Sequence, residues 1–288
     1  MKPMDIAFPN LGIYLEKVPK SISIFGMEIM LYGIIIAIGI LVGLILASHE
    51  AKRVGLKQEI LWDFALYVIP LSVIGARLYY VIFRWDYFRD DLLRIFDIRS
   101  GGMAIYGSVI AAVTVLFIFC RRKRISPFVL GDASVPSLLA GQAIGRWGNF
   151  TNREAFGDYT DGLLAMRLPI TAVRESEITD KMAAHITEGV NYIQVHPTFL
   201  YESFWNLVLL LGLWLFRKRK RFDGELILFY FAGYGLGRAW IEGLRTDQLL
   251  LPGSNLAVSQ LLSVALFVTA VGADVVLRLR KSLKIQIN

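Results

Sequence analysis

Seven apolar stretches set what this chain can fold into. They cover residues 27–48, 59–83, 102–120, 128–148, 199–216, 224–242 and 255–277. A helix needs about 20 apolar residues to cross a hydrocarbon layer. A backbone in that layer must satisfy its own hydrogen bonds, and a helix does so within one segment. The first stretch is the clearest, because Met27 to Ser48 carries one charge, Glu28, at its edge. The second and fourth are interrupted by Asp63, Arg77, Asp132 and Arg146. Composition agrees: 55% of the 288 residues are hydrophobic and 19% charged, with a mean hydropathy of +0.52, oilier than a soluble domain of this length. The expected fold is all-α, a polytopic membrane protein of seven transmembrane helices with a small extracytoplasmic insertion. The first 20 residues lack a basic start, an apolar stretch and a small-residue cleavage site, so the first span is expected to remain as an anchor.

A formal charge of +7 raises the question of nucleic acid. The distribution of the charge argues against it. Basic residues gather at Lys52, Arg53 and Lys57, at Arg121 to Arg124, at Arg217 to Arg221, and at Arg278, Arg280, Lys281 and Lys284. These clusters follow spans one, three, five and seven, which marks those loops as cytoplasmic. The N-terminus and loops 84–100, 149–198 and 243–254 are then outside, and the C-terminus is cytoplasmic. The basic excess reads as topology and contact with anionic lipid. The single cysteine, Cys120, cannot form an intrachain disulfide and reads as a small buried hydrophobe.

One transmembrane domain over 1–288 is expected, with 149–198 inserted between helices four and five as a cap or arm. Within it, Thr171 to Glu188 reads as helical, and Leu163 to Leu168 and Tyr192 to Val195 as β-prone. Glycines four apart (Gly39 and Gly43, Gly141 and Gly145, Gly233 and Gly237) fit close helix packing.

The chemistry concentrates where apolar runs end. Residues 145–157 read Gly-Arg-Trp-Gly-Asn-Phe-Thr-Asn-Arg-Glu-Ala-Phe-Gly. Arg146 and Asn149 share a helical face, and Glu154 and Gly157 follow. A guanidinium is a planar fork of donors that fits a phosphate; the plain alternative is an interfacial arginine reaching for water. A second cluster, Arg238, Glu242 and Arg245, also lies on one helix face near the end of a span. It could be an internal ion pair, an anion site, or both. His196, in His-Pro-Thr-Phe-Leu-Tyr-Glu202, is a candidate base or a helix-entry anchor. Tyr32 suits a membrane interface or a site. Ser100-Gly-Gly-Met-Ala-Ile-Tyr106-Gly pairs glycines that let backbone approach a ligand with a tyrosine one turn further in. No metal is expected, since no histidine pairs with another ligand at helical spacing and HExxH is absent. Serine-hydrolase elbows and P-loops are absent too, and the last span has no lysine for a retinal. A pocket with two cationic clusters, open to lipid, points to a phospholipid headgroup. A lipid or anion transporter would also use such arginines, but no inverted repeat is visible; a non-catalytic assembly factor is the other alternative.

These motifs resemble those of bacterial prolipoprotein diacylglyceryl transferases. The resemblance rests on Tyr32-Gly, Gly75-Ala-Arg-Leu-Tyr-Tyr, Ser100-Gly-Gly-Met, Asp132 in Gly-Asp-Ala-Ser-Val-Pro, Gly145 to Gly157, His196 to Glu202 and Gly237-Arg-x-x-x-Glu. It implies seven spans with the N-terminus outside, in the bacterial cell membrane. It implies transfer of a diacylglyceryl group from phosphatidylglycerol to the lipobox cysteine of a prolipoprotein, with release of glycerol phosphate and no cofactor. It implies that Arg146 and Arg238 are essential, and that Asn149, Glu154, Gly157, Tyr32 and Glu242 are functional positions. One departure stands out. Tyr106-Gly-Ser occupies the place where several relatives carry His-Gly-Gly, whose histidine has been proposed as the base. A tyrosine of pKa about 10 is a weak base at neutral pH. A thiol beside a guanidinium needs little help. The expectation is that Arg146 or Arg238 favours the thiolate, with Tyr106 as a hydrogen-bond partner and His196 as the alternative base.

Overall fold

The computed structural model describes residues 5–98, 101–186, 191–248, 250, 251, 253 and 257–287. It is mostly helical. Seven long helices are α1 (Leu31–Arg53), α2 (Glu59–Phe83), α4 (Ile105–Lys123), α5 (Pro127–Asn152), α7 (Thr198–Phe216), α8 (Glu225–Glu242) and α9 (Val258–Ile287), with short α3 (Trp85–Phe88) and α6 (Asp180–Ala183) between them. Among the described residues, five are long and apolar enough to cross a membrane: α1, α2, α4, α7 with the turn that follows it, and α9. The other two are polar for a specific reason. Helix α5 holds Asp132, Gln142, Arg146 and Asn149, and α8 holds Glu225, Arg238 and Glu242. The two least membrane-like helices are those that carry Arg146 and Arg238.

The all-α expectation is incomplete, because six short strands are present among the described residues. Strands β1 (Ile6–Phe8), β2 (Ile13–Leu15), β5 (Met166–Pro169) and β6 (Tyr192–Val195) form an antiparallel sheet in the order β2-β1-β5-β6. Strands β3 (Ser21–Ile24) and β4 (Met27–Met30) form a hairpin. Its two-residue turn, Phe25-Gly26, has positive φ at both positions, as a tight hairpin turn of matching twist requires. The first span was expected to begin at residue 27. The helix begins instead at Leu31, whose amide donates to the Lys20 carbonyl (2.9 Å) and closes the hairpin where the helix starts.

The chain divides into two compact units, residues 1–43 with 136–288, and residues 44–135. In the unit of residues 44–135, α2 packs along α4, and Leu61, Phe119, Cys120, Leu130 and Ala133 form a core with Ala47 and Ala51. Cys120 is buried, as a small hydrophobe would be. Two charges expected at membrane depth find partners here. Asp63 pairs with Lys123 (2.8 Å). Arg77 donates to the carbonyls of Arg94, Ile95, Asp97, Gly101 and Gly102 at 2.5–2.9 Å. The paired glycines thus serve Arg77: both have positive φ, and a Cβ on Gly102 would lie 2.5 Å from an Arg77 nitrogen. Ser100, which precedes them, lies outside the described residues.

In the other unit, α8 packs on α9 and α7. Gly39 and Gly43 of α1 meet Gly141 and Ser137 of α5 closely enough that an added Cβ would sit 3.3 and 2.9 Å from their carbonyl oxygens. The sheet has its own core of Ile6, Phe8, Phe156, Met166, Leu168, Met182, Ile193, Val195 and Phe199. Of the helix expected over 171–188, only α6 and two 3-10 turns form among the described residues; Thr187 and Glu188 lie outside them. The cause is Thr179. Its hydroxyl donates to Asp158 (2.6 Å) and accepts from the Met182 amide, so it caps a new short helix and ends what precedes it. Arg153 ties the insertion to the N-terminal segment. Buried and at positive φ, it donates to Asp5 through two nitrogens, with Nε–Oδ1 2.9 Å, and also to the Val18 and Thr151 carbonyls.

Candidate active site

The site is built from one end of three helices. Helices α5 and α8 contribute their C-terminal turns and α7 its first turns, so α7 runs antiparallel to the other two. Arg146 and Arg238 come from α5 and α8, and both reach the same acceptor, the Glu202 carboxylate of α7. Arg146 Nη2 lies 2.5 Å from Glu202 Oε2, and Arg238 Nη1 lies 2.9 Å from Oε1. Arg238 uses its other terminal nitrogen on Glu242 Oε2 at 2.5 Å, across one helical turn. Arg245 stands 3.6 Å from Glu202 Oε1 and is held by Asp247 through two bonds, of 2.8 and 2.6 Å. Ser259 donates to Glu242 Oε1 (2.5 Å) and Gln248 to its carbonyl, so the carboxylate that positions Arg238 is itself held.

The cluster holds three guanidiniums, Arg146, Arg238 and Arg245, against three carboxylates, Glu202, Glu242 and Asp247. Glu202 is nearly enclosed, with 6% of its side chain exposed, while Arg146, Arg238 and Arg245 keep 23, 17 and 11%. A charge so enclosed persists only when paired. Burial works against the Arg245 charge, but Asp247, Glu202 and Glu242 outweigh it and raise its pKa above the ordinary value. Burial likewise opposes ionisation of Asp247, and the two bonds from Arg245 prevail and hold its pKa below the usual carboxylate value.

Asn149 and Glu154 extend this arrangement. Arg146 Nη1 donates to Asn149 Oδ1 (3.4 Å), and Asn149 Nδ2 donates to Glu154 Oε1 (2.9 Å). The two amide atoms of Asn149 therefore join an arginine to a carboxylate. Tyr32, the second residue of α1, lays its ring on Gly148, where a Cβ would come within 2.7 Å of it. Gly157 pairs with Arg245 as an isolated bridge and donates to the His196 carbonyl (2.9 Å). A Cβ there would stand 2.8 Å from both the Leu244 oxygen and the His196 Cβ. Gly157 thus lets three backbone segments meet beside Arg245.

His196 has a different role from the arginines. Its Nδ1 lies 3.2 Å from the Tyr201 hydroxyl, and its main chain bonds Gly157 and Asp158. Burial, and then Lys181, lower its pKa below the usual 6.5 despite Asp158. Tyr106 belongs to the unit of residues 44–135, where its ring lies 6.3 Å from that of Tyr79. The structure therefore brings together Arg146, Asn149, Glu154, Arg238 and Glu242, with Tyr32 packed on Gly148 and Gly157 beside Arg245. Glu202 was not among the expected site residues, yet it joins the two arginines. Its signal was present in the sequence: it is the one charged residue between Thr198 and Phe216, and such a residue in a span calls for a partner.

Fold and site together define a multi-pass membrane protein that gathers guanidiniums from separate helices around one buried carboxylate, an arrangement suited to holding an anionic group. The sequence model of the prolipoprotein diacylglyceryl transferase family matches residues 19–276, and the chain belongs to that family. Similar proteins include the phosphatidylglycerol–prolipoprotein diacylglyceryl transferases of Enterococcus faecalis, 43% identical over 92% of this chain and 92% of the relative, and of Finegoldia magna, 40% identical over 87% and 92%. The enzyme of that name from Halalkalibacterium halodurans is 38% identical over 94% of this chain and 85% of its own length.

Proposed function

We infer that this protein is a phosphatidylglycerol–prolipoprotein diacylglyceryl transferase. The observation that carries the reading is the convergence of Arg146 and Arg238, from different helices, on a single anion. In this reaction the thiolate of the lipobox cysteine attacks the glycerol carbon that bears the phosphate. A carbon–sulfur bond forms, the carbon–oxygen bond breaks, and the electron pair leaves on the phosphate oxygen of glycerol phosphate. The barrier lies in the charge that gathers on that oxygen. Fixed guanidiniums in a site shielded from water stabilise it without reorganising. The phosphodiester takes Arg146 and Arg238, while Glu202 and Glu242 keep the forks aimed. Asn149 and Glu154 orient Arg146, and Tyr32 and Gly157 fix the backbone on either side. The same guanidiniums favour the thiolate, with His196 as the alternative acceptor of its proton. No cofactor enters this chemistry.

Both substrates are held in the bilayer, the acceptor by its signal peptide. In this reading the seven long helices all span the bacterial cell membrane. The basic clusters at or just after the C-terminal ends of α1, α4, α7 and α9 place those ends, and the C-terminus, in the cytoplasm. The N-terminus, the arginine site and the 149–198 cap then face outward, where lipoprotein precursors emerge.

The test is mass spectrometry of a lipobox peptide incubated with purified protein and phosphatidylglycerol. The cysteine gains one diacylglyceryl mass, and Arg146→Ala abolishes the gain. A peptide returned unmodified by the native protein, or lipid flux across vesicles without covalent product, refutes the reading. Within the mechanism, an inactive Tyr106→Phe beside an active Arg146→Ala would overturn the assignment of thiolate stabilisation to the arginines.

A further inference from the structure

Below the layer of Arg146, Glu202 and Arg238 lies a second polar layer that the chemistry above leaves unused. One turn deeper on α5 is Gln142, and one turn deeper on the antiparallel α7 is Asn206. Ser203 donates to the Ala143 carbonyl (2.8 Å), which fixes the register of the two helices at this level. Gln142 Nε2 lies 2.7 Å from the Tyr230 hydroxyl of α8. Asn206 is buried, and its amide nitrogen donates to the Glu202 carbonyl (2.9 Å). That bond sets the orientation of the Asn206 amide, since turning it over would face two carbonyl oxygens. Its Oδ1 is left buried without a partner, and so is Gln142 Oε1. Turning the Gln142 amide over would only leave its nitrogen unpartnered instead. Buried polar atoms are paired in the great majority of cases, and an unpaired one costs free energy, more so where no water competes.

A group that answers these oxygens must donate at Asn206 and, at Gln142, suit either sense of the amide. A hydroxyl does both. An ammonium only donates, and it would sit one turn from Arg146 and its positive neighbours. Resting on the transferase reading, we propose that Gln142, Asn206 and Tyr230 form the subsite for the terminal diol of the glycerol headgroup. The phosphate sits in the arginine layer, and the headgroup hydroxyls reach the amides one turn below. These three side chains thereby select a polyol headgroup, while the arginines read only its phosphate.

The experiment compares two donors with the same lipobox peptide: phosphatidylglycerol and phosphatidylpropanol, which keeps the phosphate and carbon chain but lacks both hydroxyls. The native protein prefers phosphatidylglycerol in kcat/KM. Asn206→Leu and Gln142→Met each reduce that preference about 3- to 10-fold, the range expected for one hydrogen bond. Both rates come from one preparation, so the ratio is independent of the fraction folded, and Gln142→Met carries the test alone should Asn206→Leu not fold. A native protein that uses both lipids equally, or variants that keep the full preference, overturns the proposal. A native protein that transfers from neither lipid overturns the transferase reading itself.

Discussion

Removing the charge of Glu202 exposes an asymmetry between the two arginines. Among the described residues, Glu202 is the carboxylate paired with Arg146, whereas Arg238 also holds Glu242 at 2.5 Å and Arg245 holds Asp247 at 2.6 Å. Glu202→Gln keeps the shape and strands Arg146 above all. Deleting one partner of a fully buried pair costs about 3–5 kcal/mol. Arg146 retains 23% exposure, which lets water recover part of that, so about 2 kcal/mol is expected, roughly a 30-fold shift in the folded-to-unfolded ratio. Arg146→Gln in the Glu202→Gln background should return most of it, a coupling of about 2 kcal/mol. Arg238→Gln should return less than about 1 kcal/mol, because it strands Glu242 in turn. The assay is a double-mutant cycle on unfolding in detergent micelles free of anionic phospholipid. Adding phosphatidylglycerol should then stabilise Glu202→Gln more than the native protein, since a phosphate can stand where the carboxylate was. A coupling at Arg238 equal to or larger than that at Arg146 would refute the reasoning.

Arg146→Lys and Arg238→Lys should each reduce peptide lipidation at least about 100-fold in kcat, because an ammonium cannot serve two acceptors in the plane of a fork. Gly157→Ala drives a methyl group to 2.8 Å from Leu244 O and His196 Cβ, and should cost about 1–3 kcal/mol by overpacking, read as a lower unfolding temperature with weakened activity. Arg153→Ala leaves Asp5 with the Val18 amide but no counter-charge and should free the β1–β2 segment, read as faster amide exchange at residues 6–15. The lowered pKa of His196 means that the folded state favours its neutral form. The stability it contributes is complete above the unfolded value near 6.5 and is lost as pH falls through the folded value. If His196 also takes the thiol proton, the acid limb of kcat/KM lies below pH 6.5 and disappears in His196→Gln; a limb that persists assigns the proton elsewhere.

Much of this was readable from the order of residues. The long apolar runs matched helices, since a bilayer accepts little else; α2 began and ended where expected, whereas α9 ran ten residues past the expected 277, to Ile287. The Arg146–Asn149 and Arg238–Glu242 faces were legible because helical spacing is local. The β3–β4 hairpin was missed because its second strand, Met27–Met30, runs without a break into the apolar stretch of α1. The N-terminal strands were missed because their pairing with β5 joins Ala7 to Arg167, across a separation on which local pattern is silent. Arg153 and Arg146 look alike on paper, yet one ties down the N-terminus and the other faces Glu202.

The sequence by itself determined the solvent in which this chain folds, the helices that result, and the ends at which charge collects, because each follows from contacts within a few residues and from the cost of charge in hydrocarbon. Only the tertiary structure decided which charges meet. It placed Glu202 between Arg146 and Arg238, gave Arg77 five carbonyls, and left Gln142 and Asn206 each with an unanswered oxygen. The physical reason is that pairing at short range depends on how helices distant in sequence are turned toward one another, and that rotation is set by the packing of the whole bundle.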